Sequence, residues 1–452
     1  MKDLTDGNIY KTFFLFSIPM ILSSVLSQAF SVVDTSVAGI FLGAKGLAAL
    51  GATVSALTVV ESLMYGFNAG VCMYLANYFG AREYKKFKSL FLTNLLFVFL
   101  VSVLIGVLMI AFNTPILKFL NIEDIIYIDA RNYYILLCIN IPFAIITHLF
   151  IYVMSTVGNT KFSLYISIIA AIINVIGNVL SVTVFDLGVI GLGIATIIST
   201  VFTSVIYFWR IGKHLKEMEV DKERCELSWK YVCISLPSAL PNSAQQLSMY
   251  LATFIISPVK NGLGYIALAS LAIVARIQSV VTVIYANCSR AVSIFIPQCV
   301  GAKKYDLIKK AIGVSFIQSF AIFVPIIIAI WLFPNAICSL FVNEETEAEV
   351  IKNVVYYIKI FLPFISVHAV SNIFHSIFRG IKSNRHLFIS TTVCSIVGII
   401  AAYILCPIMG ITGYYLQAIV AWGAECVYIA VVYFTGLWIP KEIRPMISKK
   451  RE

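Results

Sequence analysis

Apolar residues in this chain run in long blocks separated by short polar stretches. A hydrocarbon core of about 30 Å takes about 20 apolar residues per helix, and twelve blocks meet that length. They are Phe13 to Ile40, Leu47 to Phe79, Phe91 to Phe112, Tyr133 to Val157, Phe162 to Val184, Val189 to Trp209, Trp229 to Ile256, Leu263 to Gln298, Ala311 to Phe333, Val354 to Phe378, Leu387 to Ile408 and Thr412 to Trp438. The pattern predicts an all-α membrane protein of twelve transmembrane helices, with nothing left over for a soluble domain. The polar stretch Arg210 to Lys230 has 21 residues, too few for a nucleotide-binding module. Neither a GxxxxGK(S/T) phosphate loop nor an HExxH zinc pair occurs, so a pump with its own ATPase domain is excluded and no ATPase partner is implied. Met1 to Thr12 is polar and lacks a small-residue cleavage site, so the first block reads as a retained helix and not a signal peptide.

Composition agrees and adds orientation. Of 452 residues, 60 % are hydrophobic and 12 % charged, against roughly 45–50 % and about 25 % in soluble domains. A soluble enzyme and a disordered chain are both excluded. The net charge of +11 does not signal nucleic acid, because the basic residues are confined to short segments between apolar blocks. Twenty-five of the 33 Lys and Arg lie in loops after even-numbered spans or at the two ends. By the positive-inside rule both termini are cytoplasmic, in a multi-pass protein of the cell membrane. The cysteines lie mostly inside apolar blocks without a C-x-x-C spacing, which reads as small buried hydrophobes.

The chain repeats itself. Gly80-Ala81-Arg82 returns as Gly301-Ala302-Lys303, Ser17-Ile18-Pro19 as Ser235-Leu236-Pro237, Ile141-Pro142-Phe143 as Leu362-Pro363-Phe364, and Leu187-Gly188-Val189 as Met409-Gly410-Ile411, at offsets of 218 to 222 residues. Two parallel six-helix repeats follow, a transporter plan with alternating access. The boundaries are 1–210 for the first lobe, 211–228 for a cytoplasmic linker, 229–440 for the second lobe and 441–452 for a basic tail.

Ionisable groups inside spans are functional candidates because burying them in lipid is costly. Asp34 stands 23 residues after Lys11, about 35 Å along a helix, in a polar stripe with Gln28 and Ser31. Close helix packing by small residues is the alternative reading of the stripe; the functional one is favoured, since the Asp34 carboxylate can carry a proton or a cation. Glu61 shares a face with Tyr65 and Asn68, and Arg276 and Arg290 in the eighth span are candidate ion partners. His148, His368 and His375 read as packing residues, Glu425 as ambiguous, and Tyr65, Tyr74, Met154, Tyr285 and Trp422 as an adaptable inward surface or bundle packing. The repeat aligns Asp34 with Ala252 and Glu61 with Thr282, which places an ion-coupling site in the first half.

These residues resemble the multidrug and toxic compound extrusion (MATE) family, of the multidrug/oligosaccharidyl-lipid/polysaccharide flippase superfamily. The likeness runs from Ser17-Ile18-Pro19 through Val33-Asp34-Thr35 and the Gly80 and Gly301 span ends to Leu187-Gly188-Val189-Ile190-Gly191 and Arg379-Gly380. It implies a V-shaped, two-lobe transporter that exports amphipathic, mostly cationic compounds by antiport with H+ or Na+, without a cofactor and as a monomer. It assigns ion coupling to Asp34, Asn174, Asn178 and Thr196, with Na+ at Asp34, Asn174 and Asn178 as the one metal candidate. Asn178 departs from an aspartate of one family branch, and Gln245 and Gln246 from a glutamate of another. Gln28, Ser31, Glu61, Tyr65, Asn68, Gln245, Arg276 and Arg290 are the candidate substrate contacts. A lipid-linked oligosaccharide flippase and a passive channel are the rival readings; an intramembrane enzyme has no paired carboxylates to support it.

Overall fold

The computed structural model describes residues 9–119, 124–217, 226–263, 265–338 and 348–440; side chains at 27–40 and at most positions from 43 to 56 lie outside that description. Its described residues contain helices and turns and no strand. In chain order the helices are α1 Ile9–Gly80, α2 Tyr84–Ala111, α3 Asn113–Phe119, α4 Asp124–Thr156, α5 Thr160–Thr183, α6 Gly188–Glu217, α7 Trp229–Asn261, α8 Tyr265–Gly301, α9 Asp306–Leu332, α10 Pro334–Cys338, α11 Ala348–Ile360, α12 Ile365–Gly380, α13 Asn384–Met409 and α14 Ile411–Phe434.

Nine stretches among the described residues are long and apolar enough to cross a membrane, and the bent pair α11 and α12 makes a tenth. Two departures from the sequence pattern are instructive. The first two blocks are carried on one helical run of 72 residues. No proline follows Pro19 within it, and the glycines at 43 and 46 stand among Ala, Leu and Lys, which are good helix formers. The tenth block is bent by 46° where Leu362–Phe364 form a 3₁₀ turn around Pro363. Its repeat mate Pro142 lies within the unbroken helix α4.

The faces of α2 show how such helices are partnered. Leu96, Leu100, Leu104 and Val107 are exposed along one side, while Asn94, Val98, Ser102 and Gly106 are buried along the other. Both sides include apolar residues, and it is the small and polar ones that turn inward, because lipid satisfies leucine as well as protein does. A side chain at Gly106 would meet the Cys138 carbonyl of α4 at 2.8 Å.

The duplication is visible in the backbone. Arg82 and Lys303 both adopt left-handed conformations, with φ of 56° and 58°. Around them Glu83 N–H bonds Tyr78 O, and Lys304 N–H bonds Cys299 O, each at 2.9 Å. These are the same helix-ending turn at the repeat offset. The short helices α3 and α10 begin at residues 113 and 334, at the offset of the Gly80 and Gly301 turns.

Two compact units result. One comprises residues 18–243, where α4 packs on α2 and α6, and α5 on α6; the other takes residues from Ala244 onward together with the stretch ending at Ser17, where α12 packs on α8 and α14, and α13 on α14. The opening turns of α1 and α7 thus belong to the opposite unit from the rest of each helix. Ser235 of α7 donates to the Asn94 carboxamide oxygen at 3.0 Å within the first unit, and Gln318 of α9 donates to Ser17 within the second.

Candidate functional site

In the first unit, α5 and α6 approach closely at small residues. A methyl group at Gly177 would lie 3.0 Å from the Ala195 side chain. That closeness lets polar side chains one turn away meet. Asn178, 2 % exposed, donates to the Asn174 carboxamide oxygen at 3.3 Å, and Asn174 donates to the Thr196 hydroxyl at 3.4 Å. The Thr196 hydroxyl in turn donates to the Leu192 carbonyl at 2.9 Å. Three of the four residues assigned to ion coupling therefore form one directional chain. Its oxygens are neutral and hard, a donor set suited to Na+ when a carboxylate completes it. The side chains of Asp34, Gln28 and Ser31 lie outside the described residues. Ser23, one to three turns earlier on α1, is 2.7 Å from Ser167 on α5.

A second polar group of this unit lies between α1 and α4. The Tyr65 hydroxyl bonds the Glu61 carboxylate, and the Tyr65 ring stacks on His148 with centroids 3.7 Å apart. Asn68 is fully buried and spends its amide on the Ile145 carbonyl at 2.9 Å, pinning α1 to α4. Glu61 and Tyr65 are brought together as the sequence suggested, His148 joins them unannounced, and Asn68 acts as a helix fastener.

The second unit holds Gln245, Arg276 and Arg290. Gln245 is buried and accepts a bond from the Arg379 guanidinium at 3.0 Å. Arg276 is exposed on α8, about four turns from the half-buried Arg290 on the same helix. A cavity of about 300 Å³ lies in this unit, bounded by α7, α8, α11, α12, α13 and α14, with Tyr357, His368, Tyr414 and Trp422 in its wall. Trp422 thus faces open space, whereas Met154 and Tyr285 are completely buried. His375 approaches Glu425 to 2.9 Å, a contact that sequence reading missed. Helical spacing puts His368, Ser371 and His375 on one face of α12, but nothing in the sequence joins that face to Glu425 on α14. Among the described residues no group of three or more His, Cys, Asp or Glu is placed to hold a metal ion.

Comparison with known proteins places these features in context. The family profile MatE matches residues 19–180 and again 237–404, so the duplication is recognised in both halves. The probable multidrug resistance protein YoeA of Bacillus subtilis is 26 % identical over 346 residues, 75 % of this chain and 74 % of that protein. The FAD transporter of Shewanella oneidensis is 26 % identical over 373 residues, 79 % and 80 % of the two chains. A solved structure, the outward-facing conformation of a multidrug resistance MATE family transporter of the MOP superfamily, superposes with a TM-score of 0.88. It shares 18 % identity and covers 100 % of this chain and 99 % of its own. At that identity the likeness is one of fold.

Proposed function

The chain belongs to the MatE family of membrane transporters, and from that premise we propose that it exports amphipathic, cationic drugs or toxic compounds by antiport with H+ or Na+. The observation that carries the reading is the Asn178–Asn174–Thr196 chain across α5 and α6. It supplies oriented oxygens in the unit whose first span contains Asp34, the carboxylate we assign to ion coupling. The relatives named for multidrug resistance support the class of cargo.

Energy comes from the ion. A charge moving inward down the membrane potential yields about 2.3 kcal/mol per 100 mV. Ion binding at Asp34 reorients the amide and hydroxyl oxygens, and substrate affinity falls as the cavity opens outward. Linkage requires substrate to weaken ion binding by the same factor. Glu61, held by Tyr65, offers a carboxyl group to a cationic cargo. Twelve spans, cytoplasmic termini, lobes at 1–210 and 229–440, and a monomeric carrier belong to the same proposal.

The test is ethidium efflux from proteoliposomes under separately imposed H+ and Na+ gradients. Efflux should follow at least one gradient and be lost in Asp34→Asn. Efflux indifferent to both gradients would establish a passive channel, and full export by Asp34→Asn would remove that residue from coupling.

A further inference from the structure

The second unit contains a buried carboxylate that the mechanism above leaves idle. Glu425 on α14 is 2 % exposed, and its Oε1 lies 2.9 Å from Nε2 of His375 on α12. No described group makes a hydrogen bond of regular geometry to that oxygen. The contact is therefore one of charge or of a shared proton. The same His375 nitrogen is 3.1 Å from the Ser390 hydroxyl on α13. Around the carboxylate, the Ser371 hydroxyl of α12 and the Cys394 thiol of α13 also reach it.

His368 stands two turns before His375 on α12. Its Nδ1 is 2.6 Å from the Tyr285 hydroxyl of α8, and its ring stacks on Trp422 with centroids 5.1 Å apart. His368, Cys394 and Trp422 all border the 300 Å³ cavity. The titratable groups facing Glu425 are His375 and His368 from α12, Cys394 from α13 and Cys426 on α14 itself. His375 is its ion-pair partner among the described residues. A buried acid with two histidines has somewhere to put a proton, and the cavity wall gives that proton something to act on.

We propose that Glu425 and His375 form a proton-binding site of the second unit, open to the adjoining cavity through Cys394 and His368, which opposes binding of a cationic compound there. The proposal rests on the antiport reading and adds a proton site to it. The pair is neutral whether the shared proton sits on His375 or on Glu425. Taking one further proton from water gives the pair a net positive charge behind the cavity wall that Cys394 and His368 form, which repels a cation. Returning that proton to water on the other side of the membrane restores the neutral pair, so one proton enters and one leaves per cycle.

Two readouts test it. In pH-jump infrared difference spectra of the reconstituted protein, a protonated-carboxyl band should vanish in Glu425→Gln, shift in His375→Asn and persist in Asp34→Asn. A band untouched by both Glu425→Gln and His375→Asn overturns the proposal, and the His375→Asn arm stands even if Glu425→Gln does not fold. Ethidium affinity, measured by fluorescence from pH 6 to pH 8, changes by up to about tenfold per pH unit for each linked proton. The slope of log affinity against pH should fall by about one in Glu425→Gln. An unchanged slope overturns the proposal. Wild-type protein that shows the Glu425 band but no gradient-driven efflux would instead refute antiport and leave the proton site standing.

Discussion

Gly66 and Gly70 of α1 lie one turn apart against α7 within the first unit, and they set the sharpest energetic prediction. A Cβ at Gly70 would fall 2.4 Å from Ala239 Cα and 2.5 Å from Ala239 N, and one at Gly66 would fall 2.6 Å from the Asn242 carbonyl oxygen. These are backbone atoms that cannot swing aside. Ordinary contact between such atoms needs about 3.5 to 4.0 Å, so Gly70→Ala must part the helices by about 1 Å or more. Overpacking of this kind costs about 1–3 kcal/mol. Separation also strains the Ser243 hydroxyl bond to the Leu63 carbonyl, 2.8 Å across the same contact, worth about 0.5–1.5 kcal/mol. Gly212 on α6 has nothing within 4 Å of its missing Cβ. Gly212→Ala should instead gain up to about 1 kcal/mol from helix propensity. Thermal unfolding of detergent-purified protein reads the difference, at about 2–4 °C per kcal/mol for units of this size. Gly70→Ala should lower the midpoint by several degrees and Gly212→Ala should leave it or raise it. The double variant Gly66→Ala/Gly70→Ala should cost less than the sum of its parts, since one separation relieves both clashes. Equal midpoints for Gly70→Ala and Gly212→Ala, or strict additivity at 66 and 70, would refute the close approach.

Other consequences follow. Asn94→Ala removes a buried amide that receives the Ser235 hydroxyl at 3.0 Å and donates to the Leu90 carbonyl at 3.0 Å; the expected loss is about 1–3 kcal/mol, read as a lower melting midpoint. Asn178→Asp places a charge beside Asn174 and Thr196 and should increase the dependence of efflux on the Na+ gradient, measured in proteoliposomes; an unchanged ion dependence would detach this chain from coupling. Cys233 is exposed near the start of α7, and in a Cys225→Ser background an impermeant maleimide should label it from the cytoplasmic side alone. Arg379→Met strands the Gln245 carboxamide oxygen, which now accepts at 3.0 Å; a cost of about 1–3 kcal/mol is expected, and Arg379→Lys should recover part of it.

The solvent and the plan of this protein are written in its residue order. Apolar blocks of bilayer length, a +11 charge concentrated in alternate loops, and a duplication at about 220 residues follow from composition and order alone, because lipid imposes length and burial on every crossing helix. The coupling candidates at 174, 178 and 196 came from the family resemblance, and the spacing of four between the first two is what lets them share a helix face. Tertiary structure decided what depends on distance between helices. It turned Asn68 into a fastener on Ile145, gave Gln245 to Arg379, and set His148 against Tyr65. It also bent one copy of a duplicated proline segment and left the other within an unbroken helix. His375 and Glu425 are 50 residues apart and on different helices, so no periodicity could join them. In a bilayer, helices apolar on every side carry no stripe that names their neighbour; small residues and a few buried hydrogen bonds choose it.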